Sequence, residues 1–156
     1  MSIEIGDPAF PFKLPYQPGE FVDLEDHLGE SKIVLLFFPL AFSGVCTTEL
    51  RAVRDRWAEF ADLDAAVFGI SVDSPFVTAK FREVEGIPFP LLSDFNRDAS
   101  EAWDVLYEEF FGLHGVSKRA AFVIDSEGRV TYKWVSEDSN VEPDYEALRA
   151  ALAAAS

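Results

Sequence analysis

Residues 33–38 (Ile33-Val34-Leu35-Leu36-Phe37-Phe38) are apolar without interruption, the pattern of a strand buried on both faces. Residues 65–72 predict a second buried strand. Between the two, from about 43 to 60, Leu50, Val53, Trp57 and Phe60 recur at spacings of three and four, one face of an amphipathic helix. Ser74-Pro75 supplies a cap and a first-turn proline for a helix that should stop near Gly86. A short strand around 89–92 and a helix around 99–106 follow. Residues 120–124 and 130–135 pair across the turn Asp125-Ser126-Glu127-Gly128, and 144–154, rich in Ala and Leu, close the chain as a helix. Ahead of all these, 10–14 and 20–24 flank the cluster Pro15-Tyr16-Gln17-Pro18-Gly19 and predict a β-hairpin. Strands alternating with helices imply a partly parallel sheet covered on both faces, with antiparallel strands added by the last hairpin. The expectation is an α/β fold with a mixed central sheet, flanking helices and an N-terminal hairpin. No repeat, linker or low-complexity tract divides 1–156, which predicts one domain.

Charge narrows the choice of partner. The chain has 28 acidic against 13 basic residues, a net charge of −15 spread along its length. Such a surface repels phosphate backbones and anionic lipid, which argues against nucleic-acid and membrane partners. No apolar run approaches the roughly 18 residues that span a bilayer, and Met1-Ser2-Ile3-Glu4-Ile5-Gly6-Asp7 lacks a basic segment followed by an apolar one. A cytoplasmic protein is expected. Strong acidity also suits high salt, where self-repulsion is screened; a halophilic source and an ordinary acidic protein both stay open. His27 and His114 lie far apart with no metal-type spacing, so no metal is expected, and no glycine-rich phosphate loop is present.

The candidate chemistry gathers at Cys46, the single cysteine. It ends the run Phe37-Phe38-Pro39-Leu40-Ala41-Phe42-Ser43-Gly44-Val45-Cys46, where a strand breaks at Pro/Ser/Gly and a helix begins. Sites in open α/β sheets form just beyond the carboxyl ends of strands. Unpaired amides at a helix N-terminus favour the thiolate, which is the nucleophilic form. Ser43 can orient a hydroxyl toward the same turn, and Gly44 and Val45 leave N–H groups free for an anion. The competing reading is a packed, inert thiol, since free cysteine is among the most buried residue types. Dithiol exchange is disfavoured, because Ser43-Gly44-Val45-Cys46 puts a serine where the attacking cysteine would stand. Ser43 itself has no histidine nearby to activate it.

The pattern Pro39-x-x-x-Ser43-x-x-Cys46 resembles the peroxiredoxin signature Pro-x-x-x-Thr/Ser-x-x-Cys. The stretch from Phe37 to Cys46, with Glu49, is similar to the one-cysteine alkyl hydroperoxide reductase E branch. The likeness extends to Phe89-Pro90-Leu91-Leu92-Ser93-Asp94 and Arg119-Ala120-Ala121-Phe122-Val123-Ile124-Asp125. It implies a thioredoxin-like fold elaborated at its amino end, a homodimer, and reduction of hydrogen peroxide and organic hydroperoxides without metal or organic cofactor. In that scheme the Cys46 thiolate attacks the distal peroxide oxygen and becomes a sulfenic acid. The Ser43 hydroxyl, the backbone N–H groups of Val45 and Cys46, and the Arg119 guanidinium would stabilise the charge moving to the leaving oxygen. Pro39 would shield the thiolate, and Glu49 would hold an arginine in place. Arg119, directly before the strand at 120–124, matches the family's arginine; Arg129 lies in a turn and should be solvated. Phe38 and Phe42 are candidates for an apolar substrate mouth, set against the default of core packing.

Two departures from the family matter. Ser43 stands where most relatives carry threonine, which keeps the hydroxyl but loses the methyl that fixes its rotamer; a lower rate is expected. The absence of a second cysteine leaves the sulfenic acid to an external thiol, a small redoxin or another subunit's Cys46. A rival from another class is a redox sensor or binding module with the same oxidisable Cys46 and little turnover. A third is an inert thioredoxin-like scaffold.

Overall fold

The computed structural model describes residues 3–155. Two strands, β1 (Lys13–Gln17) and β2 (Glu20–Asp23), form an antiparallel hairpin. The central sheet contains β3 (Lys32–Phe37), β4 (Ala65–Ser71), β5 (Leu91–Ser93), β6 (Arg119–Ile124) and β7 (Val130–Ser136), in spatial order β5-β4-β3-β6-β7. Strands β3, β4 and β5 run parallel; β6 runs antiparallel to β3 and to β7. This is the expected mixed sheet of a thioredoxin-like fold.

The continuous apolar run in β3 follows from its place at the centre. Ile33, Leu35 and Phe37 enter one core with Trp103 and Phe122, while Val34, Leu36 and Phe38 enter the other with Leu50, Phe60, Phe81 and Leu148. The second core lies under α1 (Gly44–Asp55), α2 (Trp57–Ala61), α3 (Pro75–Glu85) and α5 (Tyr145–Ala154); the first lies under α4 (Asp98–Ala102) and the hairpin. Helix α3 opens as expected, with Ser74 Oγ accepting from Val77 N at 3.3 Å, and closes on Gly86 at φ 60°. No helix among the described residues is long and apolar enough to cross a membrane.

Register places the site. Phe37, the last residue of β3, pairs with Ile70 on one side and Ala120 on the other. Because β6 runs the opposite way, its first residue, Arg119, arrives at the end of the sheet where β3 finishes and α1 begins.

Several boundaries differ from the pattern. The single helix expected over 43–60 is broken at Arg56 (φ −104°, ψ 16°), and beyond the break Trp57 stacks on Phe89 with centroids 5.6 Å apart. The helix expected over 99–106 stops at Ala102. There Trp103 Nε1 donates to Phe10 O at 3.2 Å and its ring meets Phe122 edge-on at 4.8 Å, while Leu106 bridges to Ser117 as extended chain. In the first hairpin Pro15-Tyr16-Gln17 is strand, and the turn is Pro18-Gly19 alone, with Gly19 at φ 80°. The strand expected over 89–92 begins only after Pro90, which has no N–H to give a ladder.

Candidate active site

The loop between β3 and α1 is pinned from outside. Asp73 Oδ2 accepts from Ala41 N at 2.7 Å and from Ser71 Oγ at 2.7 Å. Phe42 takes a left-handed conformation (φ 66°), and its ring packs on Phe81 of α3 at 4.8 Å. Ser43 follows in the extended N-cap position of α1.

A serine at an N-cap ordinarily accepts a hydrogen bond from the first turn. Here Ser43 Oγ donates instead to Leu40 O at 2.7 Å and makes no capping bond. The first helical amide bond is Thr47 N to Ser43 O at 2.9 Å. The N–H groups of Gly44, Val45 and Cys46 therefore lack a side-chain acceptor at the positive end of the helix, an arrangement suited to an anion or a polarised oxygen.

Cys46 is fully buried in the first turn, and a guanidinium covers it. Arg119 Nη2 lies 3.2 Å from Cys46 Sγ. The same side chain is held by Glu49 Oε1, which accepts from Nη1 at 2.9 Å, and by Ser139 O, which accepts from Nε at 3.2 Å and Nη2 at 2.9 Å. Arg119 and Glu49 are both excluded from solvent. Burial works against the charge on Arg119, but Glu49 and the Cys46 sulfur outweigh it and hold the guanidinium above its ordinary pKa. For Glu49 the balance goes the other way. Burial outweighs the attraction of Arg119 and raises the carboxyl from 4.5 to about 7, and Oε2 has no hydrogen-bond partner among the described residues.

A cavity of about 250 Å³ opens onto the thiol, lined by Pro39, Ser43, Gly44, Val45, Cys46, Arg119, Ser139 and Asn140, with Phe110 and Phe111 on its outer side. The structure thus brings Pro39, Ser43, Val45, Cys46 and Arg119 together, with Glu49 behind Arg119. It does not bring Phe38 or Phe42 to the cavity wall. Phe38 points into the helix-side core with no exposed surface, and Phe42 lies on α3. The apolar wall comes from Phe110 and Phe111, which sequence reasoning missed. Their signal was two adjacent phenylalanines in an acidic, aperiodic stretch, which neither a helix nor a strand can bury together. Ser139, also missed, acts through its backbone carbonyl. Arg129 is exposed in its turn, as expected. Among the described residues no group of three or more His, Cys, Asp or Glu could hold a metal.

A thioredoxin-like sheet carrying one thiol at a helix N-terminus, under a buried arginine and beside an open cavity, defines a thiol-dependent peroxidase. Residues 5–133 match the AhpC/TSA family, and the chain belongs to it: it is a peroxiredoxin with one cysteine. Peroxiredoxin Bcp of Bacillus subtilis is 39% identical over 140 residues, covering 86% of each chain. Alkyl hydroperoxide reductase E of Mycobacterium tuberculosis is 34% identical over 141 residues, 89% of this chain and 90% of that protein. The crystal structure of peroxidoxin BcpB from Mycobacterium tuberculosis superposes with a TM-score of 0.85 at 34% identity, over 96% of both chains.

Proposed function

We propose that Cys46 is the residue that reduces the peroxide, with Arg119, Ser43 and the first-turn amides of α1 as its electrostatic partners. The observation that carries this reading is the 3.2 Å contact between Arg119 Nη2 and Cys46 Sγ beneath amides that no side chain caps. The ionised sulfur attacks the distal oxygen of ROOH. An S–O bond forms, the O–O bond breaks, and the leaving RO⁻ takes up a proton, so that thiol and hydroperoxide become sulfenic acid and alcohol. Charge moves from sulfur to the leaving oxygen, and fixed donors along that path stabilise the transition state without reorganising. The Ser43 hydrogen is committed to Leu40 O, which leaves the lone pairs of Oγ to accept from the peroxide O–H and orient it. Pro39, buried beside the thiol, keeps water from the sulfur. Glu49 holds the guanidinium and is a positioning residue.

An external thiol completes the cycle. One equivalent condenses with the sulfenic acid to a mixed disulfide and releases water; a second displaces Cys46 and leaves as the oxidised disulfide. A low-molecular-weight thiol or a small redoxin in a reducing compartment, the cytoplasm, fits a chain with no resolving cysteine. We assign the working form to a homodimer. In support, Phe21, Phe76 and Phe95 are 54%, 71% and 59% exposed around a second cavity of about 390 Å³ at the β5 edge. With −15 on each copy, dimerisation should strengthen with salt, which sedimentation at low and high ionic strength would show.

Turnover tests the proposal. With excess thiol, the protein should consume many equivalents of hydrogen peroxide, and Cys46→Ser should consume none. Oxidation that stops after one equivalent despite added thiol would replace the enzyme reading with that of a sensor.

A further inference from the structure

The segment Tyr107-Glu108-Glu109-Phe110-Phe111-Gly112-Leu113 carries two costs that the fold does not explain. Phe110 and Leu113 exchange two backbone hydrogen bonds, 2.8 and 2.9 Å, across a two-residue turn in which Phe111 and Gly112 both have positive φ, 49° and 83°. Such primed turns favour Asn, Asp or Gly at their first central position, because a Cβ there is strained. Phe111 nevertheless occupies it and is 88% exposed. Strain and exposure together, at the rim of a reactive site, point to a task for the ring.

The arm is built to hold that ring still. Phe111 meets Phe110 edge-on at 4.7 Å, and Phe110 stacks on Tyr107 at 5.2 Å and 16°. Tyr107 N donates to Val116 O at 2.8 Å, and Arg97 Nε donates to Gly115 O at 2.8 Å. Both phenylalanines line the cavity that opens onto Cys46, so a substrate seated against the sulfur extends its organic group across them.

Charge restricts that group further. Glu108 and Glu109 are exposed on the arm, and Asp138 and Glu142 are exposed next in sequence to Ser139 and near Asn140, which line the same cavity. Of the cations nearby, Lys118 Nζ pairs with Glu137 at 2.7 Å and Arg119 with Glu49 in the interior, while Arg97 is turned onto the carbonyls of Gly115 and His114 at the base of the arm. An anionic substituent would meet four carboxylates, Glu108, Glu109, Asp138 and Glu142, against the single guanidinium of Arg97.

Resting on the assignment of Cys46 as the reacting thiol, we propose that the Phe110–Phe111 arm binds the organic group of uncharged, apolar hydroperoxides and that the acidic mouth excludes anionic ones. The test uses oxidation rate constants of the intact protein for hydrogen peroxide, cumene hydroperoxide and a fatty-acid hydroperoxide, at low and high salt, in wild type and Phe111→Asn. Asparagine suits the left-handed position, so this variant keeps or gains thermal stability while losing the ring. Its cumene-to-hydrogen-peroxide rate ratio should fall roughly tenfold, the effect of exposing about one ring face. The fatty-acid hydroperoxide should react faster as salt rises, and cumene hydroperoxide should not respond. An unchanged ratio in Phe111→Asn, or an anionic substrate insensitive to salt and as fast as the neutral one, overturns the proposal. Binding of cumyl alcohol, the neutral product, to Cys46→Ser separates the two claims. Affinity that weakens on adding Phe111→Asn supports the arm even if wild type proves unreactive. Affinity indifferent to Phe111 overturns the arm whatever the rate of Cys46.

Discussion

Replacing Glu49 with glutamine asks whether burial or the ion pair governs the base of the site. Glu49 is wholly buried; one carboxylate oxygen accepts from Arg119 at 2.9 Å and the other has no partner among the described residues. Burial prevails over Arg119 and raises its pKa from 4.5 to about 7. The folded state therefore holds this proton more tightly than the unfolded chain does. The resulting stabilisation is fully present below about pH 4.5 and is lost as pH rises through about 7. At about 1.4 kcal/mol per tenfold change in proton affinity, it amounts to about 3 kcal/mol, most of it lost between pH 5 and pH 8. The comparison is best made in a Cys46→Ser background, which removes the sulfur beside Arg119. Urea unfolding followed by tryptophan fluorescence would compare this protein with its Glu49→Gln derivative across that pH range. The many surface carboxylates are common to both and cancel in the difference. The gap should move by about 2–3 kcal/mol in favour of the glutamine form from pH 5 to pH 8. Movement in the opposite direction would refute the reasoning, since it would mean that Arg119 lowers the Glu49 pKa and the pair overcomes its desolvation.

Other substitutions separate chemistry from architecture. Arg119→Met should slow oxidation of Cys46 by about 10²–10³ and cost about 3 kcal/mol of stability, because Glu49 is left buried without its cation. Adding Glu49→Gln should recover most of the stability and none of the rate; recovery of both would make the arginine purely structural. Ser43→Ala should cost only about 0.5–1.5 kcal/mol of unfolding free energy, since its hydroxyl caps nothing and gives up just the hydrogen bond to Leu40 O. It should still slow the reaction about tenfold, an amount typical of losing one orienting contact. A stable but equally fast variant would remove Ser43 from the mechanism. Gly69→Ala places a Cβ 2.6 Å from Leu91 Cδ2 and 3.3 Å from Phe38 Cε1 in the helix-side core. Unfolding should show a loss of about 1–3 kcal/mol, whereas no loss would mean that the core yields more easily than its packing implies.

What the sequence made legible had a strong local cause. The uninterrupted apolar run at 33–38 reads as a central strand because both its faces are covered, and Ser74-Pro75 and Gly86 mark helix ends through backbone chemistry that needs no tertiary partner. Cys46 and Arg119 were legible through a spaced motif and a position just before a strand. Register then explains how residues 73 apart come to 3.2 Å. Elements decided by distant contacts were less readable. The break at Arg56 and the early end of α4 at Trp103 depend on partners such as Phe89 and Phe10 that no local pattern reveals. The Ser139 carbonyl leaves no mark on residue type. Fifteen phenylalanines gave no means of ranking Phe38 and Phe42 against Phe110 and Phe111 until the loop geometry showed which pair faces the thiol.

The most direct test mixes the reduced protein rapidly with hydrogen peroxide, follows tryptophan fluorescence, and identifies the product by intact mass, with Cys46→Ser as the control. The expected result is a second-order rate orders of magnitude above that of free cysteine, with one added oxygen that is absent from the serine variant. A rate like that of an ordinary thiol, or the same oxidation in Cys46→Ser, would contradict the assignment of Cys46 as the peroxide-reducing residue.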